Sequence, residues 1–219
     1  MKAGAAARRR ERQREIIAAT RSVFDARGVR DAQVDDIAKA VGINRAIVYR
    51  HFASKDELFG LALVDYLTEL DAGLAAAADE HADGDPEVRL RGLAEVFVDF
   101  CLTYPAFLDC ALSLLRRPGT ELLGEMSEAS LFTLGRTMGT SLGRLATVLR
   151  EGAGTGHFTV DDADLLANVL YAQGLGVVHL ARAGFVVTAD GPGSHFRPVE
   201  DTAVREATVR GILATARGT

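Results

Sequence analysis

The chain is poor in several residue types. Its 219 residues include no tryptophan, only five prolines and two cysteines, and aromatic residues make up 6%. Few prolines favour helices, and the scarcity of aromatic residues predicts a core of Leu, Val and Ala. Two cysteines are too few for a disulfide framework, so Cys101 and Cys110 are expected to be small buried side chains in a reducing compartment.

Long apolar runs are also missing. The least polar window, residues 165–187, is interrupted by Asn168, Gln173, His179 and Arg182. This pattern predicts a buried helix and not a membrane span. The arginine-rich N-terminus continues into an amphipathic pattern at Ile16 and Ile17, unlike the apolar core of a secretory signal. We therefore expect a cytoplasmic protein.

Charge is distributed unevenly along the chain. The formal net charge is −5, which by itself disfavours binding to nucleic acid. However, residues 1–55 contain 13 basic and six acidic residues, a net charge of +7, whereas residues 56–219 carry −12. A small basic part attached to an acidic body is typical of a DNA-binding protein. The alternative is a basic disordered tail, but the apolar pattern of residues 37–52 indicates a folded segment.

Apolar spacing and the positions of Gly and Pro predict an all-α fold of about nine helices. Ser54 and Glu57 form a capping box at the start of the fourth helix. The segment 184–198, centred on Gly191-Pro192-Gly193, is predicted to be a loop, and no segment shows sustained strand alternation. The expected helices are Arg8 to Arg27, Val34 to Val41, Asn44 to Phe52, Lys55 to His81, Pro86 to Tyr104, Pro105 to Pro118, Thr120 to Glu151, Asp161 (or Thr159) to Ala183, and Pro198 to Ala216.

The segment from Val34 to Phe52 has the pattern of a helix-turn-helix. Two short helices are joined at Gly42, which supplies the left-handed backbone that the turn needs. Small Ala38 permits a close crossing of the two helices. The apolar side chains predicted to fill the space between them are Ile37, Val41, Ile43 and Val48. A helical hairpin without a DNA-binding role would show the same apolar pattern.

The outer face of the second short helix favours DNA binding. It carries Asn44, Arg45, Tyr49, Arg50 and His51, and none of its residues is acidic. Arg45 in the first turn is suited to a guanine edge, which an arginine binds through two hydrogen bonds. Tyr49, Arg50, His51 and Lys55 are donors suited to phosphates, and such contacts position a protein on DNA. The arginines at positions 8–14 form either a solvated tail or an arm that touches the DNA backbone or minor groove.

The stretch from Arg14 to Leu61 resembles the DNA-binding domain of the TetR family of repressors. The resemblance rests on Ile37-Ala38, Val41-Gly42-Ile43-Asn44-Arg45, Tyr49-Arg50-His51-Phe52 and Ser54-Lys55-Asp56-Glu57-Leu58. It implies a homodimer with an Ω-like all-α shape. It also implies that Arg45 reads bases, that Tyr49, His51 and Lys55 contact phosphate or base, and that Phe52 lies in the core.

Two positions depart from the family pattern. Gln33 stands where the family usually has Thr or Ser as a helix cap, so the second helix is expected to start there poorly or to begin at Asp31. Asn44 replaces a usual Ser, a mild change because both residues cap helices. The predicted DNA-binding residues are Gln33, Asn44, Arg45, Ala46, Tyr49, Arg50, His51 and Lys55.

We divide the chain into a helix-turn-helix domain, residues 1–56, and an all-helical effector-binding and dimerisation domain, residues 57–219. The helices 161–183 and 199–216 are predicted to form a four-helix bundle with a second subunit, because Ala167, Ala172, Gly174, Gly176 and Ala181 permit close helix approach. Two recognition helices about 34 Å apart then read a near-palindromic operator.

A small apolar or aromatic effector is expected to bind the C-terminal domain, although the same residues also fill ordinary cores. Gln173 and His179 either orient a polar group of that effector or have a satisfied role in the core or the interface. The candidate ligand-binding residues are Phe97, Phe100, Cys101, Tyr104, Phe107, Met126, Met138, Tyr171, Gln173 and His179. Effector binding would favour a dimer whose recognition helices no longer match the operator. The alternative is a regulator without such an effector, constitutive or controlled by a protein partner.

Signals of catalysis are weak. Gly139-Thr140-Ser141-Leu142-Gly143 matches the nucleophile elbow of hydrolases, but that motif needs a preceding strand where a helix is predicted. His157, His179 and His195 lack the spacing of metal ligands. We expect no enzyme activity, cofactor or metal. A helical enzyme or lipid-binding module does not account for the charge of residues 1–55.

Overall fold

Helices make up most of the computed structural model, which describes residues 2–82, 84–189 and 195–218. The predicted all-α class is confirmed. Two three-residue strands pair antiparallel, with Phe185 opposite Pro198 and Val187 opposite Phe196. The elements are α1 (Lys2–Arg27), α2 (Val34–Val41), α3 (Arg45–His51), α4 (Lys55–Glu80), α5 (Pro86–Thr103), α6 (Pro105–Leu115), α7 (Gly119–Glu125), α8 (Glu128–Gly154), α9 (Ala163–Ala183), β1 (Phe185–Val187), β2 (Phe196–Pro198) and α10 (Asp201–Arg217).

The predicted single helix from Thr120 to Glu151 is wrong, because α7 ends at Glu125 and α8 begins at Glu128. Ser127 causes the break. Its Oγ accepts a hydrogen bond from the backbone N–H of Ser130 at 3.3 Å, as an N-cap does. A polar cap competes with continuation of the preceding helix, and apolar spacing does not reveal this.

Three other expectations need correction. The helix α1 begins at Lys2 and not at Arg8, so the arginines at positions 8–14 belong to a helix and not to a tail. The cap of α9 is Asp162, whose Oδ1 accepts from Leu165 N at 2.9 Å. The segment 184–198 contains β1 and β2 instead of being wholly a loop, and its centre, Gly191-Pro192-Gly193, lies outside the described residues.

The chain forms two compact units. The first comprises Met1–Thr68 and Pro105–Thr137, and the second comprises Glu69–Tyr104 and Met138–Thr219. The helix-turn-helix therefore packs together with α6, α7 and the start of α8. The division at residues 56 and 57 stays a prediction about sequence domains.

The core of the first unit surrounds the helix-turn-helix and extends along α4. Ile16, Ile37, Val48 and Leu58 are buried and belong to one cluster, to which Phe52 also contributes. Further along α4, buried Tyr66 donates a hydrogen bond from its hydroxyl to Asp25 Oδ1 at 2.5 Å. Burial and that hydrogen bond raise the pKa of Tyr66, so it stays a neutral donor.

In the second unit, α10 packs against α5 and α9. Small residues permit the close contacts in this unit. A Cβ atom added at Gly174 would lie only 2.7 Å from Phe97 Cε1. The helix α9 therefore approaches α5 closely at a position where α9 has no side chain. Charged pairs at the surface join elements distant in sequence, such as Arg205 with Asp99 and Arg217 with Glu87.

In the part of the chain that the structure describes, no single helix is long and apolar enough to cross a membrane. The bent pair α5 and α6 passes that test on length and composition, and Leu90, Val98 and Leu108 of this pair are fully buried in the protein.

Candidate nucleic-acid interface

The turn between α2 and α3 has the predicted left-handed geometry. Gly42 has φ 72° and ψ 33°, a conformation that a residue with a Cβ rarely adopts. The N–H of Gly42 donates to the carbonyl of Lys39 at 3.1 Å, and the N–H of Ile43 donates to that of Ala38 at 2.9 Å. These bonds end α2 and direct the chain into α3 within three residues.

The helix α3 is fixed at its start and along one side. Asn44 is its N-cap, as predicted, and its Oδ1 accepts from Ile47 N at 3.0 Å. Val48 is buried against α1 and α2, whereas Ile47 is only partly buried. Because only this side is apolar, the opposite side of α3 faces outward.

The outward side of α3 presents Arg45, Ala46, Tyr49 and Arg50, all of which are exposed. The Arg45 guanidinium lies 5.4 Å from the centroid of the Tyr49 ring, and its NH1 lies 3.5 Å from Asp35 Oδ2 of α2. These contacts hold the side chain against α3 and α2 without burying it. Since a long ion pair at the surface is weak, Arg45 can exchange it for a base edge at little cost.

His51 and Lys55 are half-buried at the far end of α3. The Nδ1 atom of His51 is buried and has no hydrogen-bond partner among the described residues. Burial and the positive charges of Arg9, Arg50 and Arg12 lower the pKa of His51. Two of these arginines belong to α1, so α1 adds positive charge beside α3.

This contribution of α1 was missed in the sequence. The signal was present, because Arg9, Arg12 and Ile16 have the i, i+3, i+7 spacing of one helical face. Gln13 of the same helix donates from Nε2 to the backbone carbonyl of His51 at 3.3 Å. The N-terminal arginines thus form part of a helix that contacts the end of α3.

Gln33 precedes α2 as its N-cap, but its side chain makes no capping hydrogen bond. The expectation of a poor cap is confirmed, and the alternative start at Asp31 is wrong. The Gln33 side chain is exposed, so its amide is free to meet a DNA backbone.

The capping box at the start of α4 also connects to α8. Glu57 N donates to Ser54 Oγ at 2.9 Å, and Glu57 Oε2 accepts from Ala53 N at 2.5 Å. The other carboxylate oxygen, Oε1, accepts from Ser130 Oγ at 2.7 Å and from Ser127 Oγ. Burial alone would raise the pKa of Glu57, but the hydrogen bonds, led by that from Ser127, lower it.

The candidate ligand-binding residues divide between the two units. Phe97 and Tyr171 stack edge to face, with centroids 5.8 Å apart, and burial raises the pKa of Tyr171 and of the neighbouring Cys101 thiol. His179 is exposed, whereas Gln173 Oε1 accepts from Thr215 Oγ1 at 3.3 Å. Those of the second unit are Phe97, Phe100, Cys101, Tyr104, Met138, Tyr171, Gln173 and His179; Phe107 and Met126 belong to the first. Their role in binding stays a prediction.

The hydrolase-like motif lies inside α8, without the strand that a nucleophile elbow needs. Ser141 donates from Oγ to Asp71 Oδ1 at 3.2 Å, and Arg144 pairs with the same carboxylate. Cys101 and Cys110 are free and buried, as predicted. Within the described ranges, no group of three or more His, Cys, Asp and Glu side chains is arranged to hold a metal ion.

Comparison with known proteins gives a consistent result for the N-terminal segment. Residues 16–62 match the family described as bacterial regulatory proteins, tetR family. The HTH-type transcriptional activator FasR of Mycolicibacterium smegmatis is 35% identical over 92 residues, which are 42% of this chain and 41% of FasR. The chain thus matches less than half the length of this relative.

Solved structures match nearly the whole chain. RolR in complex with resorcinol has a TM-score of 0.67 at 18% identity, covering 96% of this chain and 90% of RolR. The ketosteroid transcriptional regulator KstR2 of Mycobacterium tuberculosis has a TM-score of 0.60 at 23% identity, covering 94% of this chain and 95% of KstR2. At these identities the likeness concerns the fold. The family likeness by sequence concerns residues 16–62, which match bacterial regulatory proteins of the tetR family.

Proposed function

We propose that this protein binds a near-palindromic operator as a homodimer, represses transcription, and releases the DNA when a small, largely apolar effector binds. The observation that carries the DNA-binding part is the outer face of α3. The helix α3 is seven residues long, is capped at its start and packs against the protein on one side only. Its other side exposes Arg45, Tyr49 and Arg50 and has no acidic residue. Such a helix presents its first turn to the major groove.

The surrounding charge supports this assignment. The predicted phosphate contacts, Tyr49, Arg50, His51 and Lys55, lie at the end of α3 and the start of α4. Arg9 and Arg12 of α1 add positive potential around His51. Base contacts near the start of α3 would supply sequence specificity, and phosphate contacts near its end would supply affinity, as is common for DNA-binding helices.

The second copy is proposed to pack on α9. Leu165, Val169 and Leu180 are exposed on this helix, and Ala172 and Gly176 between them are exposed and small. Exposed large apolar residues in one stripe mark a surface that another protein covers. Ala167 and Gly174 are buried within their own chain and therefore do not belong to this stripe.

The apolar residues of α10 are used differently from the sequence expectation. Val204, Thr208, Ile212 and Ala216 are buried in the chain itself, where α10 packs against α5 and α9. In a four-helix bundle, α10 would meet the partner with its other face, which carries Ala203, Ala207 and Arg210.

The effector is proposed to bind near the apolar cluster of Phe97, Cys101 and Tyr171 in the second unit. RolR, whose fold this chain shares, was solved with a small aromatic molecule, which supports that ligand class here. A regulator without a small-molecule effector is the second candidate, because these side chains already contact each other. In either case we expect a non-catalytic protein that acts in the cytoplasm.

Selection of binding sites from random duplex DNA tests the proposal. We expect enrichment of an inverted repeat whose half-sites lie about one helical turn apart. Arg45→Ala should lose the enriched sequence while it keeps weak binding to DNA in general. Enrichment of no sequence, or of a single half-site only, would contradict a dimeric operator-binding protein.

A further inference from the structure

A cavity of about 320 Å³ opens within the first unit, beside the helix-turn-helix. Its wall comes mainly from the turn after α1, the start of α4 and the end of α6. The apolar part includes Phe59, Leu63 and Leu114. The volume lies at the lower end of the range of sites for small organic molecules.

Charged groups line the same cavity. Arg117 NH2 is paired with Asp56 Oδ1 at 2.8 Å and NH1 with Glu125, so its charge is balanced. Arg30 and Lys55 also line the cavity, and neither forms a salt bridge within the described part of the chain. Lys55 Nζ lies over the Phe59 ring, 4.8 Å from its centroid. Arg30 and Lys55 are therefore two cations without an ion-pair partner beside an apolar wall.

We infer that this cavity binds a small amphipathic carboxylate, with its apolar body against Phe59 and Leu114 and its carboxylate between Arg30 and Lys55. An apolar wall removes the hydrocarbon or aromatic part from water, and the cations match the carboxylate. A neutral molecule of the same shape would leave both cations unpaired. The charge of the cavity therefore selects an acid over its amide.

The position of Lys55 gives the site a regulatory consequence, which rests on the proposed function. Lys55 is a predicted phosphate contact, and a carboxylate in the cavity competes with the DNA backbone for the same ammonium group. Binding of the carboxylate and binding of the DNA are then mutually antagonistic, to the same degree in each direction.

Titration of the full chain with sodium 2-naphthoate tests the site directly. The protein has no tryptophan, so naphthalene fluorescence reports binding without indole emission from the protein. We expect one molecule per chain, and binding weaker by about tenfold for 2-naphthamide and for Arg30→Gln. Ser113→Phe, which places a ring at the cavity wall, should also weaken binding. Arg14→Gln, an exposed arginine outside the cavity, is the matched control and should bind as wild type does.

Thermal unfolding of each variant checks that it is folded. Absence of binding to wild type, or equal binding by wild type, Arg30→Gln and Ser113→Phe, would overturn the site.

Saturating naphthoate should also weaken DNA binding by wild type about threefold or more, and unchanged DNA affinity would overturn the competition. A protein that binds naphthoate but no DNA would retain the site and refute the proposed function, whereas the reverse result would refute the site alone.

Discussion

At the scale of single residues, His51 combines two features that make it sensitive to pH. Its Nδ1 atom is buried without a partner among the described residues, and nearby arginines with burial lower its pKa. A DNA phosphate beside this ring would have the opposite effect and raise the pKa. Protonation of His51 and DNA binding are therefore expected to favour each other.

The resulting prediction concerns affinity. The DNA affinity of the wild-type protein should rise as the pH falls from the raised pKa of His51 in the complex towards its lowered pKa in the free protein. His51→Gln should remove most of that rise. Anisotropy titrations between about pH 8 and pH 5.5 measure it, a range that spans the ordinary titration of histidine. Equal slopes for wild type and His51→Gln would show that His51 does not meet phosphate.

The same residue has the opposite effect on stability in the absence of DNA. Because its pKa is lowered on folding, the folded state holds fewer protons than the unfolded state. The stabilising contribution of neutral His51 is present above its unfolded pKa and is lost as pH falls through its folded pKa. Acid therefore weakens the free protein while it strengthens the complex.

At the scale of elements, the two short helices begin differently. Asn44 caps α3 with a hydrogen bond, and Gln33 makes none at the start of α2. Gln33→Ser should therefore stabilise the protein by about 0.5–1 kcal/mol, and Asn44→Ala should destabilise it by about 1 kcal/mol. Denaturant unfolding measures both changes. A Gln33→Ser variant that is less stable than wild type would mean that Gln33 has a structural role.

The network around Glu57 connects the start of α4 to the start of α8. Glu57→Gln should destabilise the protein by about 1–3 kcal/mol, because a buried carboxylate that accepts several hydrogen bonds is replaced by an amide with one acceptor. Since the pKa of Glu57 is lowered, its contribution is present above its unfolded pKa and lost as pH falls through its folded pKa.

Chemical unfolding at about pH 7 and pH 3 separates this contribution from a general loss of packing. The difference between wild type and Glu57→Gln should shrink at the lower pH. Ser22→Ala, an exposed serine on α1, is a control expected to change little at either pH. A difference that stays constant between the two pH values would contradict the role given to the ionised carboxylate.

The sequence predicted the helix-turn-helix well because local chemistry determines it. Gly42, Asn44 and the buried pair Ile37 and Val48 each act within a few residues of their position. The break before α8 depends on Ser127, whose partner Glu57 is 70 residues away. The pairing of β1 with β2 also depends on a distant segment, and three-residue strands are too short for alternation to be visible.

The candidate effector residues illustrate the same limit. Phe107 and Tyr171 look equivalent in the sequence, since both are aromatic residues in apolar helices. In the fold they belong to different units, and Tyr171 stacks edge to face on Phe97. Apolar spacing identifies a buried face but does not identify which other helix covers it.

At the scale of the whole molecule, a near-palindromic operator requires two recognition helices and hence two chains. Val169→Glu places a charge in the exposed stripe of α9 and should convert a dimer to a monomer, since a buried unpaired charge costs several kcal/mol. Sedimentation velocity measures the change. Arg91→Glu, an exposed residue of α5, is the control; a monomeric wild type, or a dimeric Val169→Glu variant, would exclude α9 as the interface.

Fluorescence anisotropy with selected and scrambled duplexes at several salt concentrations tests whether α3 reads DNA sequence. We expect nanomolar binding to the selected duplex that weakens steeply with salt, because phosphate contacts release counterions. Arg45→Ala should lose about 1–3 kcal/mol of preference for that duplex, whereas Arg116→Ala should keep it. Binding insensitive to salt, or equal sequence preference in wild type and Arg45→Ala, would contradict a role of α3 in reading DNA sequence.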